Sequence, residues 1–253
     1  MGMTSMDEIG SGPATLVLHG GAGPFSVATL TEHLGRTRRV LTPTHPGWNG
    51  TPRPAEIDTI ADLAAAYLRD LAERGLRDVL VVGSSIGGWI AAEMAAQDDA
   101  GLIGGLILID ATGIWVDAEP IPDFFALDAR QIAEYSYHDP DRFYQDPATV
   151  PAAQIAVRQG NMVALRHLAG EPYMHDPSLF DRLAAVRIPA LLLWGASDRI
   201  VTPAYGAAYA AAFGDAHLEI ISEAGHLPQL EQPGATFARI DAFVGELDQA
   251  RAR

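Results

Sequence analysis

Six short apolar runs recur along the chain, at Ala14 to Leu18, Arg38 to Leu41, Val79 to Val82, Leu106 to Ile109, Ala190 to Trp194 and Leu218 to Ile221. Stretches long enough for amphipathic helices separate most of them. Strands covered on both faces read as near-continuous apolar runs, so this alternation predicts an α/β fold with a mostly parallel central sheet flanked by helices. The clearest helix follows Asp58, read as its N-cap. Ile60, Leu63, Ala64, Tyr67, Leu68 and Leu71 share one face before Gly75 ends it. Other helices are expected from Ile86 to about Gln97, after Pro203, and from Pro233 onward, the last with Phe237, Ile240, Phe243 and Val244 as its apolar stripe.

The rhythm breaks between Thr112 and Arg187, where Pro120, Pro122, Pro140, Pro147, Pro151, Pro172 and Pro177 punctuate a stretch rich in Phe, Tyr and Asp. The reading is a core formed by residues 1–111 and 188–253 with a helical insertion, 112–187, between its halves. Helices are expected within it at Pro122 to Tyr137, Pro151 to Leu168 and Pro177 to Ala185.

Composition narrows the function classes. A chain of 253 residues buries roughly 70% of the surface its unfolded form exposes, enough for one sizeable core. A formal charge of −15 repels phosphates and anionic headgroups, so neither nucleic acid nor membrane is the expected partner, and a small molecule is. Without cysteine there is no disulfide, thiolate metal site or cysteine nucleophile. The opening MGMTSMDEIG has neither a basic nor an apolar leader region, and no apolar run approaches the ~20 residues of a bilayer span, which makes the cytoplasm the expected location. Oligomeric state is not set by the sequence.

The chemistry concentrates where the runs end. Val79 to Val82 leads into Gly83-Ser84-Ser85-Ile86-Gly87-Gly88, the G-x-S-x-G spacing at a strand-to-helix turn. Such a turn is sharp enough to demand small flanking residues and to push the Ser85 hydroxyl above the sheet edge. The helix that follows offers free N–H groups, of which Ile86 is the candidate oxyanion donor. Ser84 is the alternative nucleophile, but only Ser85 sits centrally between the glycines. A phosphate loop would need Lys and Ser or Thr after Gly87, and neither is there.

The first run ends in His19-Gly20-Gly21-Ala22-Gly23-Pro24, whose small residues can turn N–H groups into a cleft. Gly21 is the first candidate for a second oxyanion donor, with Ala22 as its substitute. As a dinucleotide fingerprint the loop fails, because Ser26 replaces the third glycine. Asp198 and His226 each follow a later run, at the strand ends that form the functional edge of a parallel sheet. A serine hydroxyl needs a base, and the base an acid to fix its tautomer. Ser85, Asp198 and His226 supply that set, with Asp110 as the second candidate acid. His19 reads as a brace for its loop, and no paired histidine spacing suggests a metal site. Phe124, Phe125, Tyr135, Tyr137, Phe143, Tyr144 and Trp48 read equally as cleft or packing residues, and Trp89 as core.

His19-Gly20-Gly21, Gly83 to Gly88, Trp194-Gly195-Ala196-Ser197-Asp198 and Ala224-Gly225-His226 together resemble an α/β-hydrolase-fold serine hydrolase, with 112–187 standing where that family carries a helical lid. The resemblance implies Ser85 as nucleophile, His226 as general base and then acid, Asp198 as its orienting carboxylate, Gly21 and Ile86 as oxyanion hole, and neither metal nor organic cofactor. Relatives that act on haloalkanes or epoxides carry aspartate at the elbow, unlike Ser85. Carbon–carbon hydrolases tend to have asparagine before the nucleophile and tryptophan after the histidine, where this chain has Ser84 and Leu227. An ester, lactone or related acyl bond of a largely apolar molecule is the expected target; carbon–carbon cleavage and a non-catalytic ligand-binding role stay open. With only Met1 to Pro13 ahead of the first core strand, at most one short strand fits there, so that sheet edge should be curtailed.

Overall fold

A computed structural model describes residues 6–251. Its sheet has seven strands: β1 (Met6–Ile9), β2 (Ala14–Leu18), β3 (Arg39–Pro43), β4 (Val79–Ser84), β5 (Ile103–Ile109), β6 (Ala190–Gly195) and β7 (Ala216–Ile221). They lie in the order β1-β3-β2-β4-β5-β6-β7, and only β1 runs antiparallel to its neighbour. This is the α/β-hydrolase fold, and among the described residues one antiparallel strand precedes the first parallel one. The six apolar runs of the sequence are β2 to β7: β2 matches its run, β4 to β7 each extend theirs at one end, and β3 starts one residue later and ends two residues later.

Ten helices accompany the strands among the described residues: α1 (Ala28–Leu34), α2 (Ile60–Glu73), α3 (Ile86–Gln97), α4 (Ala129–Ser136), α5 (Pro140–Phe143), α6 (Ala152–Ala169), α7 (Leu179–Leu183), α8 (Pro203–Ala212), α9 (Pro228–Glu231) and α10 (Pro233–Arg251). Strand side chains alternate between two cores. Leu16, Val81, Leu108 and Leu192 pack with α2, α3, α7 and α8, whereas Val17, Leu80, Ile107 and Leu193 pack with α1 and α10. Both faces of β2 to β6 are covered, which is why these strands read as near-continuous apolar runs, whereas the edge strands β1 and β7 are partly exposed and carry Asp7, Glu8, His217 and Glu219. None of the described helices is long and apolar enough to cross a membrane.

Local chemistry moves some expected boundaries. Helix α2 is capped by Thr59 rather than Asp58, because Thr59 and Asp62 form a reciprocal capping box that satisfies two otherwise free N–H groups. Its far end is at Gly75 as expected, where a φ of +67° suits glycine. The helix expected from Pro122 instead begins at Ala129, behind a second capping box made by Asp128 and Gln131. Helices α1 and α5 had no distinct sequence signal. In α10 the fully buried positions are Thr236, Ile240 and Leu247, while Phe237, Phe243 and Val244 are half-buried against the same core.

The chain runs from β2 outward to β3 and then returns to lay β4 on the other side of β2. That reversal opens a crevice at the carboxyl ends of β2 and β4, the usual place for a ligand on such a sheet. Leu18 is in register with Gly83, so the loops after these two strands start side by side.

Candidate active site

At the end of β4 the backbone turns through Ser85, whose φ of +57° and ψ of −121° are strained for a residue with a side chain. The surroundings force this geometry. A Cβ on Gly83 would collide with the Gly87 carbonyl, and one on Gly87 with the Leu18 carbonyl. The Ser85 N–H donates to the Ile109 carbonyl at 2.9 Å, and its carbonyl accepts from Gly88 N–H at 2.9 Å. The hydroxyl is thereby aimed out of the sheet edge.

His226 donates and accepts along one line. Its Nε2 lies 2.9 Å from Ser85 Oγ, and its Nδ1 lies 2.8 Å from Asp198 Oδ2. With Nδ1–H donating to the carboxylate, Nε2 is left to accept the serine proton. Asp198 is buried, and its Oδ1 accepts from the N–H groups of Ile200 at 2.8 Å and Val201 at 3.2 Å. The loops carrying the acid and the imidazole are themselves tied, since Ser197 N–H donates to the Ala224 carbonyl at 2.8 Å. Such a relay can deprotonate a serine hydroxyl and return the proton to a leaving group.

The two alternatives fall elsewhere. Ser84 is fully buried and its hydroxyl accepts from Gln229 Nε2 at 3.3 Å. Asp110 is fully buried beside the relay, where its Oδ1 accepts from Gly195 N–H at 2.9 Å, while His226 is hydrogen-bonded to Asp198. Ligand-type atoms of Asp110, Asp198 and His226 all lie within 4.8 Å of one another. That spacing would suit a metal, but Asp198 and the His226 Nδ1–H already satisfy each other.

Gly21, Ala22 and Ile86 line the same cavity as Ser85, and among the described residues their N–H groups make no backbone hydrogen bond. The loop after β2 is held by its carbonyls. His45 Nε2–H donates to the His19 carbonyl at 3.0 Å, His19 Nδ1–H to the Gly20 carbonyl at 2.7 Å, and Trp48 Nε1–H to the Gly21 carbonyl at 2.8 Å. His45 N–H in turn donates to His19 Nε2 at 3.0 Å, and the Tyr67 hydroxyl to His45 Nδ1 at 2.6 Å. Each imidazole is a neutral tautomer with both nitrogens used. Burial pushes His19 down to about 4 and, with His19 beside it, His45 well below the usual histidine value. His19 is the brace the sequence suggests; His45 and Trp48 complete it, and their only sequence signal was their position in a loop at the active edge.

The cavity measures about 560 Å³. Its walls come from the helical segment between β5 and β6: Phe124, Ile132, Ala133, Tyr137, Phe143, Tyr144, Met162 and Leu165 among them. Phe125 instead lies against the Arg166 guanidinium, 4.3 Å from the ring centre. Among the described residues no acidic side chain lines the cavity, and Arg158 is the one guanidinium that does.

Three residues that the sequence did not mark hold these walls to the site. Asn161 of α6 accepts from Asn49 N–H at 2.7 Å and donates to the Ala22 carbonyl at 3.3 Å. Leu165, one turn on, packs against Gly21. The buried Glu231 carboxylate accepts from the N–H groups of Gly225, His138 and Asp139, joining the His226 loop to the helical segment. His226 N–H itself donates to the Ser136 carbonyl at 2.6 Å.

Residues 16–240 match a family model described as the alpha/beta hydrolase family. A pimeloyl-[acyl-carrier protein] methyl ester esterase of Aromatoleum aromaticum is 30% identical over 243 residues, covering 87% of this chain and 94% of that protein. A 2-hydroxy-6-oxononadienedioate/2-hydroxy-6-oxononatrienedioate hydrolase of Pseudomonas putida is 26% identical over 251 residues, covering 89% of this chain and 85% of its own. Among solved structures, a thermophilic esterase from Thermogutta terrifontis superposes with a TM-score of 0.72 at 22% identity, over 96% of this chain and 93% of that one, and so speaks for the fold.

Proposed function

The chain belongs to the alpha/beta hydrolase family and is a hydrolase, and on that premise we propose that it is a serine hydrolase cleaving an ester, lactone or related acyl bond of a small, largely apolar molecule. The observation that carries this reading is the unbroken relay from Ser85 Oγ to His226 Nε2 at 2.9 Å and from His226 Nδ1 to Asp198 at 2.8 Å, at an apolar cavity. Ser85 Oγ attacks the substrate carbonyl as His226 takes its proton, and the tetrahedral oxyanion forms against the N–H groups of Gly21 and Ile86. His226 then protonates the leaving group, an acyl-enzyme remains, and water activated by His226 releases the acid and restores Ser85. An oxyanion donor is typically worth about 3 kcal/mol of barrier. Residues 112–187 act as the lid in this reading, closing the cavity over the acyl chain.

Arg158 refines the substrate. It lies seven residues before Leu165 on α6, about 10 Å along the helix from the Gly21 contact. A guanidinium at that distance from the scissile bond favours a substrate with an anionic group at its far end. Carbon–carbon cleavage is less favoured, because Ser84 is buried on Gln229 and Leu227 follows the histidine.

A fluorophosphonate probe tests the central claim. Stoichiometric labelling at Ser85, lost in Ser85→Ala together with turnover of p-nitrophenyl esters, is expected; folded protein that takes up no probe would make the chain a binding protein instead. Arg158→Gln should lower kcat/KM for an ω-carboxylate ester relative to a neutral ester of equal length by about fivefold, the size of a partly solvated ion pair. An unchanged ratio removes the anionic end from the proposal.

A further inference from the structure

Asp110 is a buried titratable group that the mechanism above does not use, and its environment does not suit a carboxylate. It follows β5 with a φ of +44°, and its own N–H donates to the Leu193 carbonyl at 3.0 Å, so it is fixed in a strained conformation. One carboxyl oxygen, Oδ1, accepts from Gly195 N–H at 2.9 Å. The other, Oδ2, is buried with no donor to satisfy it. An unpaired carboxylate oxygen in that position carries a desolvation penalty that a charged Asp110 has no donor to offset.

The neighbouring carboxyl resolves the conflict. Asp198 has about four lone-pair sites, and three are used, by Ile200 N–H, Val201 N–H and His226 Nδ1–H. Asp110 and Asp198 lie in the same cluster of ligand-type atoms, all within 4.8 Å. Two carboxylates so close in a dry interior cannot both hold charge, and Asp198 is the one with three donors to support it. We propose that Asp110 is held as a neutral carboxylic acid whose Oδ2–H donates to the Asp198 carboxylate, making the acid of the relay a carboxyl pair that carries a single proton. Burial, the Asp198 charge and the hydrogen bond between the two carboxyls all push Asp110 well above the usual carboxylate range, against the weaker pull of the Gly195 N–H.

The pair does two things for His226. A fourth hydrogen bond completes the coordination of Asp198 and fixes the plane of its carboxylate toward Nδ1. It also draws charge from Asp198, so that the carboxylate stabilises an imidazolium without taking its proton. Asp110 touches neither substrate nor His226 through a hydrogen bond; it is a positioning residue. Its catalytic consequence rests on the serine-hydrolase reading, whereas the existence of the pair does not.

The test compares the full chain with Asp110→Asn and Asp110→Leu. At neutral pH the infrared spectrum of the parent should contain a protonated carboxylic acid C=O band that is missing from Asp110→Asn. Asp110→Leu removes the donor and should lower kcat by about tenfold or more at little-changed KM, as expected for a lost hydrogen bond to a charged group. Asp110→Asn keeps an N–H donor for Asp198 and an oxygen for Gly195, and should recover most of that loss. The proposal is overturned if no such band disappears, or if Asn is as damaging as Leu. Should Asp110→Leu fail to fold, the band and the Asn kinetics decide alone. Fluorophosphonate labelling of the parent separates the two readings: a labelled parent without the band sinks the carboxyl pair only, and an unlabelled parent with the band leaves the pair standing and sinks the hydrolase.

Discussion

His19 and His45 sit fully buried with ring centres 3.7 Å apart, each spending both ring nitrogens as a neutral tautomer, so a proton added to either one breaks a hydrogen bond and charges a dry interior. The folded chain holds His19 at about 4, against about 6.5 when unfolded. Between those values the unfolded chain binds more protons, so stability falls as pH falls. The contribution is complete above pH ~6.5 and gone by pH ~4. Linkage for this one group gives a loss of about 2 kcal/mol at pH ~5 and about 3 kcal/mol at pH ~4, with His45 acting in the same direction. The perturbation that isolates it is His19→Asn, which keeps a donor for the Gly20 carbonyl and removes the titration. Urea unfolding of parent and variant at both ends of this range gives the comparison. The parent should lose about 2 kcal/mol more than the variant on going from neutral pH to pH ~5. Parallel losses would refute the idea that this brace is an acid-labile element.

Other consequences follow from the same geometry. Glu93 is wholly buried and is gripped by both Arg182 nitrogens at 2.9 Å, whereas Arg182 is a third exposed and also holds Asp176. Arg182→Met should therefore cost about 3–5 kcal/mol and Glu93→Gln distinctly less, because only the first strands a buried charge; equal costs in urea unfolding would contradict this. Asn161→Ala frees the Ala22 carbonyl and the Asn49 N–H together and should raise KM for p-nitrophenyl esters several-fold while costing about 1–3 kcal/mol; an unchanged KM would show that α6 does not hold the loop after β2 in place. Glu231→Gln turns one acceptor of three N–H groups into a donor facing them, and is expected to lower kcat about tenfold with less effect on KM. A matching rise in KM, measured on the same esters, would place its role in binding instead.

Strands β2 to β6 were legible because they are buried on both faces, and that leaves a local mark: a short apolar run with a turn residue at its end. The Ser85 turn was legible for a related reason, since a backbone bent this sharply admits only glycine at positions 83 and 87. Asp198 and His226 could be picked out because each follows such a run, but nothing in their own neighbourhoods measures the 2.9 and 2.8 Å that join them to Ser85 and to each other. Helix starts were less readable: Thr59 displaces the adjacent Asp58 because only its side chain completes a capping box, and α4 starts behind the Asp128 box, well past the expected Pro122. The supports of the site left little or no mark: Asn161 and Glu231 had none, His45 and Trp48 only their place in a loop at the active edge, and Asp110 only its place after a strand. His45 and Trp48 on the loop after β2, Asn161 from α6, Glu231 under the His226 loop and Asp110 against Asp198 act across separations of 26 to 112 residues in the cases of His45–His19 and Asn161–Asn49. The sequence by itself determined the inner strands, the elbow and the candidate reacting groups, because these depend on burial and on backbone strain within a few residues. Only the tertiary structure decided which carboxyl meets the imidazole, which hydroxyl it meets and what shape of cavity lies above, because those depend on distances between segments that nothing but the packed fold brings together.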